Sequence, residues 1–293
     1  MFPRNPPKVR DLEVFSSMPE KFRRRGGSNA WCAANRGGLP TEAFLEGPVL
    51  DGAGNLYVTD IPYGRIFRID AKGEWALVAE YDGEPNGMKL VGEQELLVTD
   101  YRNGLVAIDI ATGRVRKHLA RRNSESFKGV NDLTLDAGGN VYFTDQGQTG
   151  LHDPSGRVYR LAADGRLDLL ISNAPSPNGI VLSRDERFLF VAMTRGNCVW
   201  RMPIMADGSV SKAGQFFTSY GPSGPDGLAL DPQGHLIVCN PGLGVAWILD
   251  EYAEPLQILQ AGRGISLTNV AVHASGMAYF TDSTNSRILR AQL

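Results

Sequence analysis

The sequence predicts an all-β protein, a six-bladed β-propeller, and three observations support this fold class. First, a phrase of about fifteen residues recurs six times, and its copies begin 40 to 48 residues apart. Second, each copy holds two runs of strand-favouring apolar, aromatic and Thr residues, separated by a turn that contains Gly or Asp. Third, further short strands follow each copy, and repeats of this length with about four strands are typical of propeller blades.

The first repeat shows how one blade is built. Its apolar run predicts an inner strand at Gly47–Asp51 and, after the turn 52–55, a second strand at Leu56–Asp60. A third strand is predicted at Arg65–Asp70 and a fourth at Trp75–Tyr81, because both runs are bounded by turn residues. The later repeats show the same order of runs, except that the sixth ends after its third strand.

The two ends of the chain are predicted to close the ring. The sixth repeat is one strand short, and an unpaired strand edge at the seam would invite association between molecules. The segment VRDLEVF (9–15) alternates apolar and polar residues and belongs to no repeat, so we expect it to complete the last blade. Residues 16–43 are expected to form a loop or a cap, and residues 44–293 the blades, all within one domain spanning 1–293.

Composition argues against several classes of function. The 30 basic and 32 acidic residues are mixed along the chain and give a net charge of −2, so we expect no nucleic-acid partner. The three cysteines lack CxxC spacing and indicate neither a disulfide framework nor a thiolate zinc site. No run approaches the ~18 apolar residues of a membrane span, and the N-terminus does not resemble a signal peptide. We therefore expect a cytoplasmic monomer or dimer that does not bind membranes.

The first residues of the six repeats are predicted to form one polar site, because inner strands surround the central channel of a propeller. The set comprises two acids and four amides: Glu46, Asp226, Asn86, Asn131, Asn178 and Asn269. Such oxygen donors suit one divalent cation, Ca²⁺ first, with Mg²⁺, Mn²⁺ or Zn²⁺ as alternatives. A single Asn-Gly or Asp-Gly pair is equally an ordinary turn signal, so the whole set, and above all the long acid Glu46, supports the prediction.

The loops between the second and third strands are expected on the same face, where they would contact a substrate. The candidate substrate contacts are Tyr63, Arg65, Tyr101, Gln146 and His152 on these loops, with Asn86 and Asn269 among the first residues of the repeats. Arg65, Arg102 and Arg195 would hold a carboxylate or hydroxyls, although each is equally explained as a solvated surface residue. His152 lies in the longest of these loops and is either a proton shuttle or simply exposed.

Four of the motifs resemble the SMP-30/gluconolactonase/LRE family of six-bladed propellers. They are FLEGPVLDGAGNLYVTD (44–60), GVNDLTLDAGGNVYFTD (129–145), PNGIVLSRDERFLFV (177–191) and PDGLALDPQGHLIV (225–238). The resemblance covers about residues 40–293. It implies one divalent cation held by Glu46, Asn178 and Asp226, with Asn131 as a fourth ligand or a substrate contact. It also implies that Asp226 is the catalytic base or nucleophile.

We therefore expect a metal-dependent hydrolase that opens a small-molecule lactone, in particular a sugar lactone, to its hydroxy acid. A cation would polarise the lactone carbonyl, and the base would be either Asp226 or a hydroxide held by the cation. Three alternatives stay open: an organophosphate (phosphotriester) hydrolase on the same site, a non-catalytic calcium-binding propeller, and a metal-free strictosidine-synthase-like propeller. The sequence does not identify the lactone.

Overall fold

The computed structural model describes residues 5–293 and confirms the six-bladed β-propeller. Each blade contains four antiparallel strands, which we call a to d from the central channel outwards. The a strands of successive blades contact one another, and the a strand of blade six contacts that of blade one. The ring is therefore closed.

The strands of blades one to three, in order a to d, are Leu45–Leu50, Leu56–Asp60, Arg65–Ile69 and Trp75–Glu80; Pro85–Val91, Glu95–Asp100, Gly104–Asp109 and Val115–Leu119; Val130–Leu135, Val141–Asp145, Gly156–Leu161 and Leu167–Ala174. Those of blades four to six are Pro177–Leu182, Phe188–Met193, Cys198–Pro203 and Gly214–Thr218; Leu228–Leu230, Leu236–Asn240, Val245–Leu249 and Pro255–Gln260; Leu267–Val272, Met277–Asp282, Arg287–Gln292 and, from the N-terminal segment, Glu13–Ser17. The remaining elements are the strand Lys8–Asp11, the hairpin Arg121–Arg122 and Glu125–Ser126, the helix Ala30–Arg36, and the 3-10 turns Glu20–Phe22, Ile61–Tyr63 and Thr194–Gly196.

The N-terminal segment closes the ring, but not as the single strand 9–15 that the sequence predicted. Glu13–Ser17 pairs antiparallel with the last strand of the chain and is strand d of blade six. Lys8–Asp11 instead pairs parallel with strand d of blade five and becomes its fifth strand. The prediction of a closing strand is confirmed, and its boundaries are corrected, because the chain passes from one blade to the next at Leu12, which packs into the core between them.

The apolar core lies between neighbouring blades. Tyr57 and Ile66 of blade one, for example, pack against Met88 and Val98 of blade two. Successive side chains of a strand point to opposite faces of the sheet, and each blade is covered on both faces by its neighbours. The b strands therefore consist almost entirely of buried residues.

Residues 16–43 were expected to form a loop or a cap; residues 16 and 17 instead end strand d of blade six, and the helix within residues 18–43, the cap segment, lies over the face on which the a strands begin. The helix Ala30–Arg36 starts at Asn29, whose side chain accepts a hydrogen bond from the Cys32 backbone N–H at 3.0 Å, an ordinary N-cap. Trp31 of this helix packs against Ile61 of blade one. The cap segment is thus attached to blade one by an apolar contact. No helix within residues 5–293 is long and apolar enough to cross a membrane.

Candidate active site

A cavity of about 840 Å³ opens on the face of the ring where the a strands begin. Five of the six first residues of the repeats line it, and we call them the floor: Glu46, Asn86, Asn131, Asn178 and Asp226. The sixth, Asn269, is buried and bonded to Glu46 rather than part of the lining. Loop residues from around the ring, most of them in blades two to four, and the helix of the cap segment form the wall.

A threonine on strand b fixes the backbone of the next blade's floor residue. The Thr59 hydroxyl donates to the Asn86 carbonyl at 2.9 Å, and the Thr144 hydroxyl donates to the Asn178 carbonyl at 2.8 Å. The threonine of blade two makes the same bond to the first residue of blade three. These threonines are fully buried, so the ring itself sets the positions from which the floor side chains project.

The aspartate that follows each of these threonines has a second positioning role. Asp60 accepts a hydrogen bond from the Phe44 backbone N–H at 2.8 Å. Asp145 accepts one from the Gly129 N–H at 2.8 Å, and the aspartate of blade two makes the equivalent bond. Each donor lies two residues before the floor residue of the same blade. In each recurring Thr-Asp pair, the threonine therefore fixes the floor residue of the next blade, and the aspartate fixes the chain that leads to the floor residue of its own blade.

Glu46 is a buried acid whose side chain is already held in place. It is 4 % exposed, and its Oε2 accepts hydrogen bonds from the Gly47 N–H at 2.8 Å and the Asn269 side-chain amide at 2.9 Å. Burial raises the pKa of Glu46 to about 7, with the two hydrogen bonds opposing and the charge of Asp132 assisting. The ionised form is therefore costly at this place, and a nearby cation would stabilise it.

Two further acids lie near Glu46. Burial, together with the charges of Glu46 and Asp132, raises the pKa of Asp226 well above its ordinary value, while a hydrogen bond from the Asn178 side chain lowers it. Asp132 is 3 % exposed, and burial raises its pKa as well. The acids thus perturb one another's ionisation, and such clusters of acids with shifted pKa values are typical of functional sites.

The glycines that follow the floor residues are required by packing between blades. A Cβ on Gly87 would lie 2.2 Å from Oδ1 and 2.8 Å from Cα of Asp132. A Cβ on Gly227 would lie 2.2 Å from Oδ1 and 2.6 Å from Cα of Asn269. The Asn-Gly and Asp-Gly pairs, which look like turn signals in the sequence, therefore mark the places where neighbouring a strands approach most closely.

Three of the predicted loop contacts line the cavity: Tyr101, Gln146 and His152. The Gln146 Oε1 accepts a hydrogen bond from the Asn131 side-chain amide at 2.9 Å, and its own amide donates to the Ser176 hydroxyl at 3.0 Å. Because the amide nitrogen of Asn131 is bonded to Gln146, its oxygen is left for a ligand. His152 is exposed on the wall.

Two predicted substrate contacts lie elsewhere. The Tyr63 hydroxyl donates to the Thr41 carbonyl in the cap segment. Arg65 is 2 % exposed, and its guanidinium donates to Asp60 at 2.8 Å and to the Phe22 carbonyl at 2.7 Å. Both residues join blade one to the cap segment and do not line the cavity, which corrects the expectation that they contact a substrate. The physical reason is that both side chains are already engaged: the guanidinium of Arg65, at the start of strand c as predicted, by Asp60 and the Phe22 carbonyl, and the Tyr63 hydroxyl by the Thr41 carbonyl.

The structure also adds residues that sequence reasoning missed. Trp31, Asn35 and Arg36 of the cap helix line the cavity, and nothing in their sequence indicates this. A signal for Asp132 was present, because it occupies the position that glycine takes in four other repeats. An acid at a position of close approach between strands suggests a role at the channel.

Fold and site together define a class, the six-bladed propellers that present carboxylate and amide oxygens in a cavity at the channel mouth. The sequence profile of the SMP-30/Gluconolactonase/LRE-like region matches residues 44–281. The chain belongs to this family.

Curated relatives of the chain include two named hydrolases. Lactonase drp35 of Staphylococcus haemolyticus is 28% identical over 232 residues, which cover 75% of this chain and 70% of the relative. A gluconolactonase of Zymomonas mobilis is 28% identical over 275 residues, which cover 83% and 77%. These are the proteins to which this chain is similar.

Solved structures show the same fold at lower identity. A calcium-binding protein, regucalcin, from Agrobacterium tumefaciens superposes with a TM-score of 0.77 at 19% identity and covers 98% of this chain and 95% of its own. A gluconolactonase from Xanthomonas campestris gives a TM-score of 0.74 at 22% identity, with 85% of each chain covered. The likeness extends over most of each molecule, which agrees with the closed ring described above.

Proposed function

We propose that this protein is a divalent-cation-dependent lactonase that opens a small lactone, in particular a sugar lactone, to its hydroxy acid. The observation that carries the proposal is the floor, where Glu46 and Asp226 have raised pKa values among amide oxygens. A cavity of about 840 Å³ accommodates a small hydroxylated ring. The relatives named lactonase and gluconolactonase support this class of reaction.

The donor set of the floor fits a hard divalent cation. We assign as ligands the carboxylates of Glu46 and Asp226 and the amide oxygens of Asn131 and Asn178. Residues 5–293 contain no cluster of three or more His, Cys, Asp or Glu side chains arranged for a metal, in keeping with a set that is half amide. All four donors are oxygens, which favours Ca²⁺, and Mg²⁺, Mn²⁺ and Zn²⁺ are the alternatives. The similar structure described as a calcium-binding protein supports the first choice.

The residues of the floor and wall would divide the work of the reaction. When bound, the cation would polarise the lactone carbonyl and stabilise the negative charge that develops on its oxygen. Asp226 would be ionised beside the cation, which lowers the pKa of its carboxyl, and its carboxylate would orient the attacking water and accept its proton. Water adds to the acyl carbon, the ring C–O bond breaks, and the ring oxygen leaves as an alcohol. The new acid then ionises and releases one proton.

The wall would hold the substrate ring. Asn86, Tyr101, Gln146 and His152 line the cavity and offer hydrogen bonds to ring hydroxyls. Asn269 would act on Glu46 instead, because its amide donates to that carboxylate.

A pH-indicator assay on metal-stripped protein tests the proposal. The protein is mixed in turn with each of a panel of aldonolactones and simple γ- and δ-lactones. The solution should acidify faster than by spontaneous hydrolysis only after a divalent cation is added. Glu46→Gln should abolish this activity, and Glu93→Gln, a change of the same type at an exposed turn, should leave it unchanged.

The other outcomes identify the alternatives. Cleavage of a phosphotriester with every lactone intact would establish the organophosphate hydrolase instead. Binding of Ca²⁺ without hydrolysis of either would support a non-catalytic propeller.

A further inference from the structure

Arg195 is a positively charged, exposed residue of the cavity wall that forms no ion pair with an acid within the described residues. The other two arginines considered for substrate binding are engaged: Arg65 with buried Asp60, and Arg102 with Asp82 at 2.6 Å. Across the part of the chain that the structure describes, Arg195 makes neither an ion pair nor a hydrogen bond, yet it lines the cavity. Its guanidinium is therefore available to a ligand.

Two contacts hold Arg195 beside the floor. It lies in the 3-10 turn Thr194–Gly196, and the Thr194 hydroxyl donates to the carbonyl of Pro225 at 2.8 Å, next to Asp226. A Cβ on Gly150 would lie 3.5 Å from the Arg195 Cγ and 3.1 Å from the His152 Nδ1. Arg195 and His152 therefore pack against the same loop residue.

The charge of Arg195 also reaches the floor. Burial and the neighbouring acids raise the pKa of Asp226, and the guanidinium of Arg195 acts in the opposite direction. The acid of the wall, Glu84, is accompanied by Arg102, whose charge opposes the rise that burial causes in its pKa. The side of the cavity formed by blades three and four thus carries a guanidinium that forms no ion pair and lies close enough to the reaction centre to lower the pKa of Asp226.

We propose that the substrate is a lactone with a second, ionised acid group, a carboxylate or a phosphate, which Arg195 binds while His152 lies beside it. This inference rests on the lactonase function proposed above and names its substrate class. A guanidinium donates two parallel hydrogen bonds to a carboxylate or phosphate, and such charge-assisted pairs are strong and specific. Hydrolysis of such a lactone gives a product with two acid groups, one new and one retained by Arg195.

Matched substrates test the proposal. Glucono-γ-lactone and glucaro-γ-lactone differ in that the terminal carbon is a hydroxymethyl group in the first and a carboxylate in the second. The cation-loaded protein should favour the carboxylate-bearing lactone in kcat/KM, and Arg195→Gln should lower that value by about 10- to 100-fold, mostly through KM. The value for the neutral lactone should change by less than about 2-fold. A gluconolactone phosphorylated on its terminal hydroxyl distinguishes phosphate from carboxylate.

The control is Arg263→Gln, which removes an exposed arginine outside the cavity lining and should change neither rate. Arg195→Lys keeps the charge but loses the two parallel hydrogen bonds. It should therefore keep more of the preference for the carboxylate-bearing lactone than Arg195→Gln does. An equal loss for neutral and acidic lactones in Arg195→Gln, or a wild-type preference for the neutral lactone, would overturn the inference and leave the lactonase function intact. Absence of hydrolysis of any lactone by the cation-loaded protein would overturn the lactonase function itself.

Discussion

Replacing Arg65 by methionine should destabilise the protein without changing how it binds substrate. Arg65 and Asp60 form an ion pair in which the side chains are 2% and 0% exposed. One oxygen of Asp60 accepts from Arg65 at 2.8 Å, and the other accepts from the Phe44 N–H at 2.8 Å. Methionine replaces the apolar stem of arginine but leaves the first oxygen without its donor. The variant therefore buries an acid that is only half satisfied.

The expected loss is about 3–5 kcal/mol of the free energy of unfolding at neutral pH, because removing one partner of a buried ion pair leaves the other uncompensated. Burial raises the pKa of Asp60 to about 6 from 3.8, against the lowering effect of Arg65. Without Arg65 the pKa should rise further, so the folded state binds a proton that the unfolded state does not. The free energy of unfolding of the variant then falls as pH rises. Its deficit relative to wild type should therefore be larger at about pH 8 than at about pH 6.

A matched control exists in blade six. Arg287 pairs with buried Asp282 at 2.6 Å, but Arg287 is 27% exposed, and the same oxygen of Asp282 also accepts from the Asn285 amide at 2.9 Å. Arg287→Met should therefore cost only about 1–2 kcal/mol. Urea unfolding at the two pH values measures both losses, and lactone hydrolysis per folded molecule measures substrate binding.

The result that refutes this reasoning is an Arg65→Met variant of nearly normal stability with a raised KM. It would mean that Arg65 contacts the substrate, as the sequence alone suggested. Equal losses of the free energy of unfolding in Arg65→Met and Arg287→Met would show instead that burial of an ion pair does not determine how much it contributes to stability.

Three further predictions concern the ring. Deleting residues 1–17 should expose the edge of the last strand, lower the melting temperature and cause aggregation in light scattering; unchanged melting would contradict the closure. Hydrogen bonds within its turn outweigh partial burial and keep the pKa of Asp51 below 3.8, so Asp51→Asn should cost about 1 kcal/mol at neutral pH. That loss should shrink as pH falls through the pKa of Asp51, because protonation removes the same stabilisation from wild type; a pH-independent loss in urea unfolding would count against it. Gly227→Ala should cost several kcal/mol, since its Cβ would overlap Asn269, and a normal melting temperature would disprove this close approach.

The sequence predicted the ring well because its signal is repeated. Six copies of one phrase at a nearly constant period determine the number of blades, and the missing strand in the sixth copy predicts the closure. The segment 9–15 was harder, because strands Lys8–Asp11 and Glu13–Ser17 form one continuous alternating pattern. A parallel fifth strand on blade five follows from three-dimensional packing and has no counterpart in the repeat.

The candidate site was predictable where it depends on the register of the repeat. The five floor residues share one position in the phrase, so their meeting in one cavity follows from the ring. Arg65 was correctly predicted to begin strand c, but its burial against Asp60 and the cap segment depends on contacts that the repeat does not encode. The contributions of Asp132 and the cap helix depend on contacts between distant segments, which a single sequence does not show.

Titration of Ca²⁺ into metal-stripped protein by calorimetry, with lactone hydrolysis measured on the same samples, tests the central claim most directly. We predict one cation per chain at the floor, and a rate that rises with occupancy of that site. Glu46→Gln and Asp226→Asn should lose both binding and activity while keeping the circular dichroism spectrum of wild type. Full hydrolysis by the metal-stripped protein, or undiminished cation binding in both variants, would contradict the claim that these two acids hold a catalytic cation.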